Sequence, residues 1–209
     1  ARFLAVSATA GFRHGSIERA EVVLEELGRS TGLYHLDYLR MPSGNKDDPA
    51  WQENLAAQFT KAFDPAVLAD FDGVMFVSTT GELPVPDLTG FLAWIKSGKA
   101  FVGFHAASDT FKSSDAYTEM IGGHFAGHPW GAGGEHGFVV HEPDHPVTAM
   151  FSPRFRFRDE IYQYDSRYVP ENLRVLVSLD MAASQPQEPW YVPVSWVRRR
   201  AWRISSAWC

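Results

Sequence analysis

The chain has a single cysteine in 209 residues, and it is the last one, Cys209. An internal disulfide is excluded, and a cysteine nucleophile inside the fold is nearly so. No apolar run approaches the roughly 20 residues that cross a bilayer. The opening Arg2-Phe-Leu-Ala-Val-Ser7 reads as a first strand rather than as an export signal. With a lone thiol, this leads to the expectation of a reducing, cytoplasmic setting and no membrane partner. Basic charge is also scarce: 19 Lys and Arg stand against 25 Asp and Glu, for a net charge of −6. Lys and Arg are thinly spread until the end of the chain, so no nucleic-acid partner is expected. Internal repeats, low-complexity tracts and linkers are missing too. The expectation is one domain over 1–209 with a sizeable core, 45% of the residues being hydrophobic. Aromatics are plentiful, at 14% with seven Trp. They serve either a well-filled core or a cleft in which flat rings stack on a sugar or aryl ligand.

The most informative stretch is Lys99-Ala-Phe-Val-Gly-Phe-His-Ala-Ala-Ser-Asp-Thr110. A short apolar run ends abruptly in His105, followed by small and polar residues. This is the pattern of a buried parallel strand entering a tight turn. In an open α/β sheet, ligands bind at the carboxyl ends of such strands. Many hydrolases place a Ser or Cys nucleophile at this elbow. This chain places an imidazole there, with Asp109 four residues on.

Other elements are legible around it. Phe3–Val6, Tyr34–Leu39 and Gly73–Val77 read as strands. A helix begins at Ser16 as cap, with Ala20, Val23, Leu24 and Leu27 on one face. Further helices are expected over Trp51–Phe63 and Pro86–Lys96, with a turn at 68–72. The segment Gly122–Gly134 is rich in Gly and His and reads as irregular. Its Gly131–Gly134 run has no Lys-Ser/Thr after it and no strand before it, so it is not a phosphate loop, and no nucleotide cofactor is expected. Strands are expected at Phe138–His141, Leu173–Leu179 and Tyr191–Val197, and Asp159-Glu160 is expected on a strand between Phe155 and Tyr164.

Three loops follow three expected parallel strands, and each carries polar groups: His14, then Thr79-Thr80-Gly81, then His105, Ser108 and Asp109. If the sheet is parallel, all three meet at one edge, and that convergence marks a site. His124 and His128 have a spacing that binds metal on a helix, but Gly127 and Pro129 oppose a helix there. They are either ligands or hydrogen-bonding loop imidazoles. Glu160 is a base, a metal ligand or an ion-pair partner of Arg156 or Arg158.

Phe12-Arg13-His14, Thr79-Thr80-Gly81, Gly103-Phe-His-Ala-Ala107, His124-Phe-Ala-Gly-His-Pro-Trp130, Asp144-His-Pro146 and Asp159-Glu-Ile-Tyr162 occur in the order seen in ThuA-like (trehalose-utilization) proteins. Pro193-Val-Ser-Trp-Val-Arg198 resembles that family's penultimate strand. The resemblance covers residues 1 to about 199. It implies an α/β, flavodoxin-like fold similar to class I glutamine amidotransferases: a mostly parallel sheet flanked by helices, with a mixed or antiparallel C-terminal part. Those enzymes hold a catalytic Cys at the elbow that His105 occupies here. After Arg199 the family's Tyr-Gly-Lys-Gly-Arg turn, strand and Leu-Gly-His ending are replaced by Arg200-Ala-Trp-Arg-Ile-Ser-Ser-Ala-Trp-Cys209. Any site histidine that this ending contributes elsewhere is absent.

The resemblance implies carbohydrate metabolism, on a disaccharide such as trehalose or a keto-sugar derivative. On this reading His105, His14, Glu160 and Asp109 form the catalytic group. Thr80, Gly81, Trp130 and Tyr162 hold the ligand, with Trp130 stacking on a sugar ring. An imidazole of ordinary pKa, near 6.5, suits acid/base work at neutral pH. A divalent metal such as zinc, with His124 and His128 as candidate ligands, is the alternative chemistry. The alternative function is a non-catalytic sugar-binding or regulatory protein on the same scaffold. A homo-oligomer is left open. Cys209 is expected to play no part in function.

Overall fold

The computed structural model describes residues 1–165, 173–186 and 191–198, and the backbone of 205–208. The chain begins with β1 (Arg2–Val6), α1 (Ile17–Thr31), β2 (His35–Leu39), α2 (Pro49–Ala62), α3 (Pro65–Leu68) and β3 (Gly73–Val77). The two-residue β4 (Thr80–Gly81), then α4 (Leu88–Lys96), β5 (Ala100–Phe104), the two-residue β6 (Asp109–Thr110) and α5 (Asp115–Ile121) follow. The remaining strands are β7 (Phe125–Trp130), β8 (Glu135–Val140), β9 (Arg154–Arg158), β10 (Ile161–Tyr164), β11 (Leu173–Leu179), β12 (Pro193–Arg198) and β13 (Ser205–Trp208). Nine strands form one sheet in the order β2-β1-β3-β5-β13-β12-β11-β8-β9. Neighbours from β2 to β13 pair in parallel, and those from β13 to β9 pair antiparallel.

Strand alternation decides which core each side chain enters. Leu4, Val6, Val74, Phe76 and Phe101 face one side and pack with Leu55, Phe59, Phe91, Ile95, Tyr117 and Met120 of α2, α4 and α5. Ala5, Met75, Val77 and Val102 face the other side, where Ala20 and Leu24 of α1 cover them. Two-sided burial explains why these strands read as continuous apolar runs. The antiparallel part has its own core, built from Trp130, Phe138, Ile161, Leu176, Val177 and Val194 among others. Among the described residues, no helix is long and apolar enough to cross a membrane.

Local expectations change in four places. Ser16 precedes α1 but its hydroxyl makes no cap bond, because its backbone is already helical at φ −79°, ψ −13°. The side-chain caps are Asp48 on α2, Asp64 on α3, Asp87 on α4 and Ser114 on α5. The expected turn at 68–72 begins inside the one-turn helix α3. The Gly- and His-rich segment is not irregular throughout: its residues Phe125–Trp130 form β7, which pairs antiparallel with β10 through two register shifts. A two-stranded ribbon leaves each strand a free edge, so Pro129 and Gly127 are tolerated there. Asp159 and Glu160 lie not on a strand but in the break between β9 and β10.

Candidate active site

β1, β3 and β5 are adjacent and parallel, so the loops bearing His14, Thr80 and His105 lie at one edge of the sheet. β5 ends at Phe104, and the chain enters a 3-10 turn over His105–Ser108. His105 takes φ +46°, in the left-handed region that β-carbon sterics disfavour. Such a conformation costs on the order of 1–3 kcal/mol and persists where the surroundings impose it. It is the elbow geometry, with an imidazole as the displayed group.

The first and second loops are locked to one another. Ala10 and Gly11 donate their N–H groups to the Thr80 carbonyl at 2.8 and 3.3 Å. Thr80 is fully buried, and its hydroxyl donates to the Phe12 carbonyl at 2.7 Å. Gly81 sits at φ +73°, and a Cβ there would stand 2.8 Å from the Gly11 nitrogen. Thr80 and Gly81 therefore hold the His14 loop in place, and the Thr80 hydroxyl is not presented to a ligand.

The C-terminal half covers this edge. Tyr162 Oη lies 3.0 Å from His105 Nε2 and 3.2 Å from His14 Nε2. Glu160 Oε2 lies 3.3 Å from His105 Nε2, and Glu160 Oε1 lies 3.5 Å from His128 Nδ1. The His14 and His105 rings meet edge to face at 4.5 Å. Phe125 packs on Tyr162 at 4.3 Å and fixes the phenol from outside. His14, His105 and Glu160 each present a ligating atom, all within 4.8 Å of one another.

Burial lowers the pKa of His105 to about 4, and the neighbouring His14 and His128 push it the same way. The adjacent Glu160 carboxylate would favour the imidazolium, but burial prevails. His14 is also lowered by burial, against the opposing pull of Glu160 and Asp109. At neutral pH, His105 is thus a neutral imidazole and not the half-protonated acid/base group expected from its ordinary pKa.

Other candidates lie elsewhere. Asp109 influences His14 through its charge, but its carboxylate is engaged by Lys112 at 2.5 Å. His124 is fully buried, with Nδ1 2.9 Å from the Ser108 carbonyl, so it braces the elbow from below. The strand between them separates it from His128, so the pair does not form the metal site its spacing suggested. Trp130 is fully buried and its indole donates to the Pro186 carbonyl at 2.6 Å, so no face of it is open to a sugar ring. His128 joins the site through Glu160, not through His124. The sequence reading missed that partnership, and it missed Phe125 behind Tyr162 and the 71%-exposed Phe12, whose ring meets His14 at 4.9 Å. Plain strand alternation would put Phe125 and His128, three residues apart, on opposite faces, so no local pattern announced that both lie against Tyr162. Cys209 lies outside the described residues.

The family model described as "Trehalose utilisation" matches residues 2–207. The chain belongs to the ThuA family. A putative ThuA-like protein from Bacteroides uniformis superposes with a TM-score of 0.70 at 19% identity, covering 99% of this chain and 80% of that one. A second, from Parabacteroides merdae, gives 0.67 at 15%, covering 99% and 77%. The glutaminase domain of the Trypanosoma brucei CTPS gives 0.50 at 12%, covering 99% and 83%. These likenesses confirm the glutaminase-like α/β fold. A sequence search of curated proteins found no match.

Proposed function

We propose that this ThuA-family protein is an enzyme of carbohydrate metabolism acting on a disaccharide such as trehalose or on a keto-sugar derivative. His14, His105 and Glu160 form its reacting centre. The observation that carries the proposal is the meeting of these three groups within 4.8 Å at the carboxyl edge of the parallel sheet.

Two imidazoles and a carboxylate are a common donor set for a divalent metal such as zinc. The set here fits. Metal ligands must be deprotonated, and burial already keeps both histidines in the neutral form. His14 Nδ1 is buried with no hydrogen-bond partner, so its ring is oriented by its Nε2 side. When bound, a metal would supply Lewis-acid polarisation of a sugar oxygen. The chain's own groups do the rest. Tyr162 Oη bridges the two Nε2 atoms and orients both rings. Glu160 accepts a proton from a sugar hydroxyl or an adjacent carbon. His105, neutral at pH 7, accepts a hydrogen bond or a proton and is not itself the acid.

The test is turnover across disaccharides and their keto derivatives, with elemental analysis of the purified protein. His105→Ala and Glu160→Gln should each lower turnover by about 100- to 10,000-fold while melting stays cooperative. Folded variants that keep the wild-type rate would overturn the assignment. Sugar binding by a wild-type protein that turns over nothing would favour the non-catalytic sugar-binding reading.

A further inference from the structure

A cleft of about 640 Å³ opens beside the reacting centre, between the loop after β1, the start of α2 and the residues after β4. Its size lies in the range of about 300–1,000 Å³ usual for small-molecule sites. Phe12 lines it, and the same ring packs edge to face on His14 at 4.9 Å. The cleft and the histidine cluster therefore share one wall. That wall is a phenyl ring left 71% exposed and lining the cleft.

We propose that this cleft binds the second, non-reacting ring of a disaccharide whose other ring lies at His14, His105 and Glu160. The inference rests on the carbohydrate reading above and deepens it. Phe12, Trp51 and Pro84 give the cleft apolar walls, and aromatic faces suit the C–H face of a sugar ring. The Trp51 indole N–H is already bonded to the Pro42 carbonyl at 3.0 Å, so Trp51 acts as wall and not as donor. Lys46, Glu53 and Glu82 supply polar heads of both signs. A second cation, Arg13, also lines the cleft, its guanidinium held by the Ser7 carbonyl and Glu18. Balanced charge argues against a phosphorylated or polyanionic ligand and for a neutral, polyhydroxylated one. Carboxylates and an ammonium pair with hydroxyl groups through charge-assisted hydrogen bonds.

The test is calorimetric titration of the whole chain with trehalose and with methyl α-glucoside, which carries one ring only. Wild type should bind trehalose about tenfold more tightly, the value of one hydrogen bond to a charged group. Glu53→Ala and Lys46→Ala sit on exposed positions and should fold normally. They should remove most of the trehalose advantage and leave methyl α-glucoside affinity unchanged. Equal affinities in wild type, or an advantage that survives both variants, would overturn this inference. In that case, loss of methyl α-glucoside binding in His105→Ala would still uphold the reacting centre. Failure of wild type to bind either ligand would overturn the subsite together with the sugar reading.

Discussion

The parallel half of the sheet presents His14 and His105 from loops that directly follow buried strands. The antiparallel half presents Glu160, Tyr162 and His128 from a two-stranded ribbon outside the main sheet and from the break that feeds it. The first pair is held by locked backbone: Thr80 and Gly81 clamp one loop, and a strained turn braced by His124 forms the other. The second group is held by packing of Phe125 on Tyr162 and by hydrogen bonds across to the histidines. One half makes a rigid floor, and the other closes over it. The site exists only where the two meet. Perturbing one half should therefore change stability, and perturbing the other should change function more than stability.

The largest stability effect should come from the floor. Folding holds His105 neutral, with a pKa of about 4, whereas in the unfolded chain it is an ordinary imidazole near 6.5. Between these values the unfolded state binds more protons than the folded one. Stability is thus full above pH 6.5 and falls as the pH drops toward 4, by up to about 3 kcal/mol from this group. Denaturant melts of chelator-treated protein at pH 7, 5.5 and 4 should show that loss. His105→Gln should flatten the slope in this window. An unchanged slope in the variant would show that His105 is not the buried, neutral group described.

Much of the floor was legible in the sequence, and little of the cover was. Buried parallel strands are apolar throughout and stop abruptly, so Phe104-His105 announces its own elbow. The neighbouring loops align by topology alone. The ribbon has no such pattern. β7 runs through Gly127 and Pro129, which oppose regular structure when read locally, and its strand partner among the described residues is β10, more than 30 residues later. Trp130 was read as a stacking platform because tertiary burial leaves no mark on a single residue. The same holds for the lowered pKa of His105, which comes from neighbours remote in sequence. The altered ending is a further case. Ser205–Trp208 still forms a strand between β5 and β12, with Trp208 opposite Phe104, at the edge where the histidines lie. The backbone pairing survives a change of sequence that the motifs do not.

The cover should give a smaller and different effect. Tyr162→Phe removes the hydroxyl that bridges His14 and His105 and leaves the ring on Phe125. Losing one such interaction costs on the order of 1 kcal/mol, or about fivefold in turnover. Melting should shift little, because the aromatic packing remains. A large drop in stability with unchanged turnover would reverse the assignment of floor and cover.

The smallest effect concerns how each half holds its outer elements. α2 begins at Asp48, whose carboxylate accepts the Ala50 N–H at 2.9 Å, followed by Pro49 in the first turn. Such a cap satisfies a backbone donor that has no partner inside the helix. Asp48→Ala should cost about 1 kcal/mol. At the antiparallel edge β9 pairs with β8, and cross-strand pairs such as Glu135 on β8 with Arg156 on β9 at 2.6 Å help to hold it. Both side chains are about half exposed, so the pair is screened by salt and its two long side chains lose entropy in forming it. Glu135→Gln should lower the melting temperature only slightly, and 1 M salt, whose screening length is about 3 Å, should erase the difference. The Asp48→Ala deficit should outlast the same salt, because it is a lost hydrogen bond to the backbone more than a lost charge pair. Paired melts of the two variants at low and high salt decide the matter. A Glu135→Gln deficit that exceeds the Asp48→Ala deficit at high salt would mean that the antiparallel edge is held by more than screened charge.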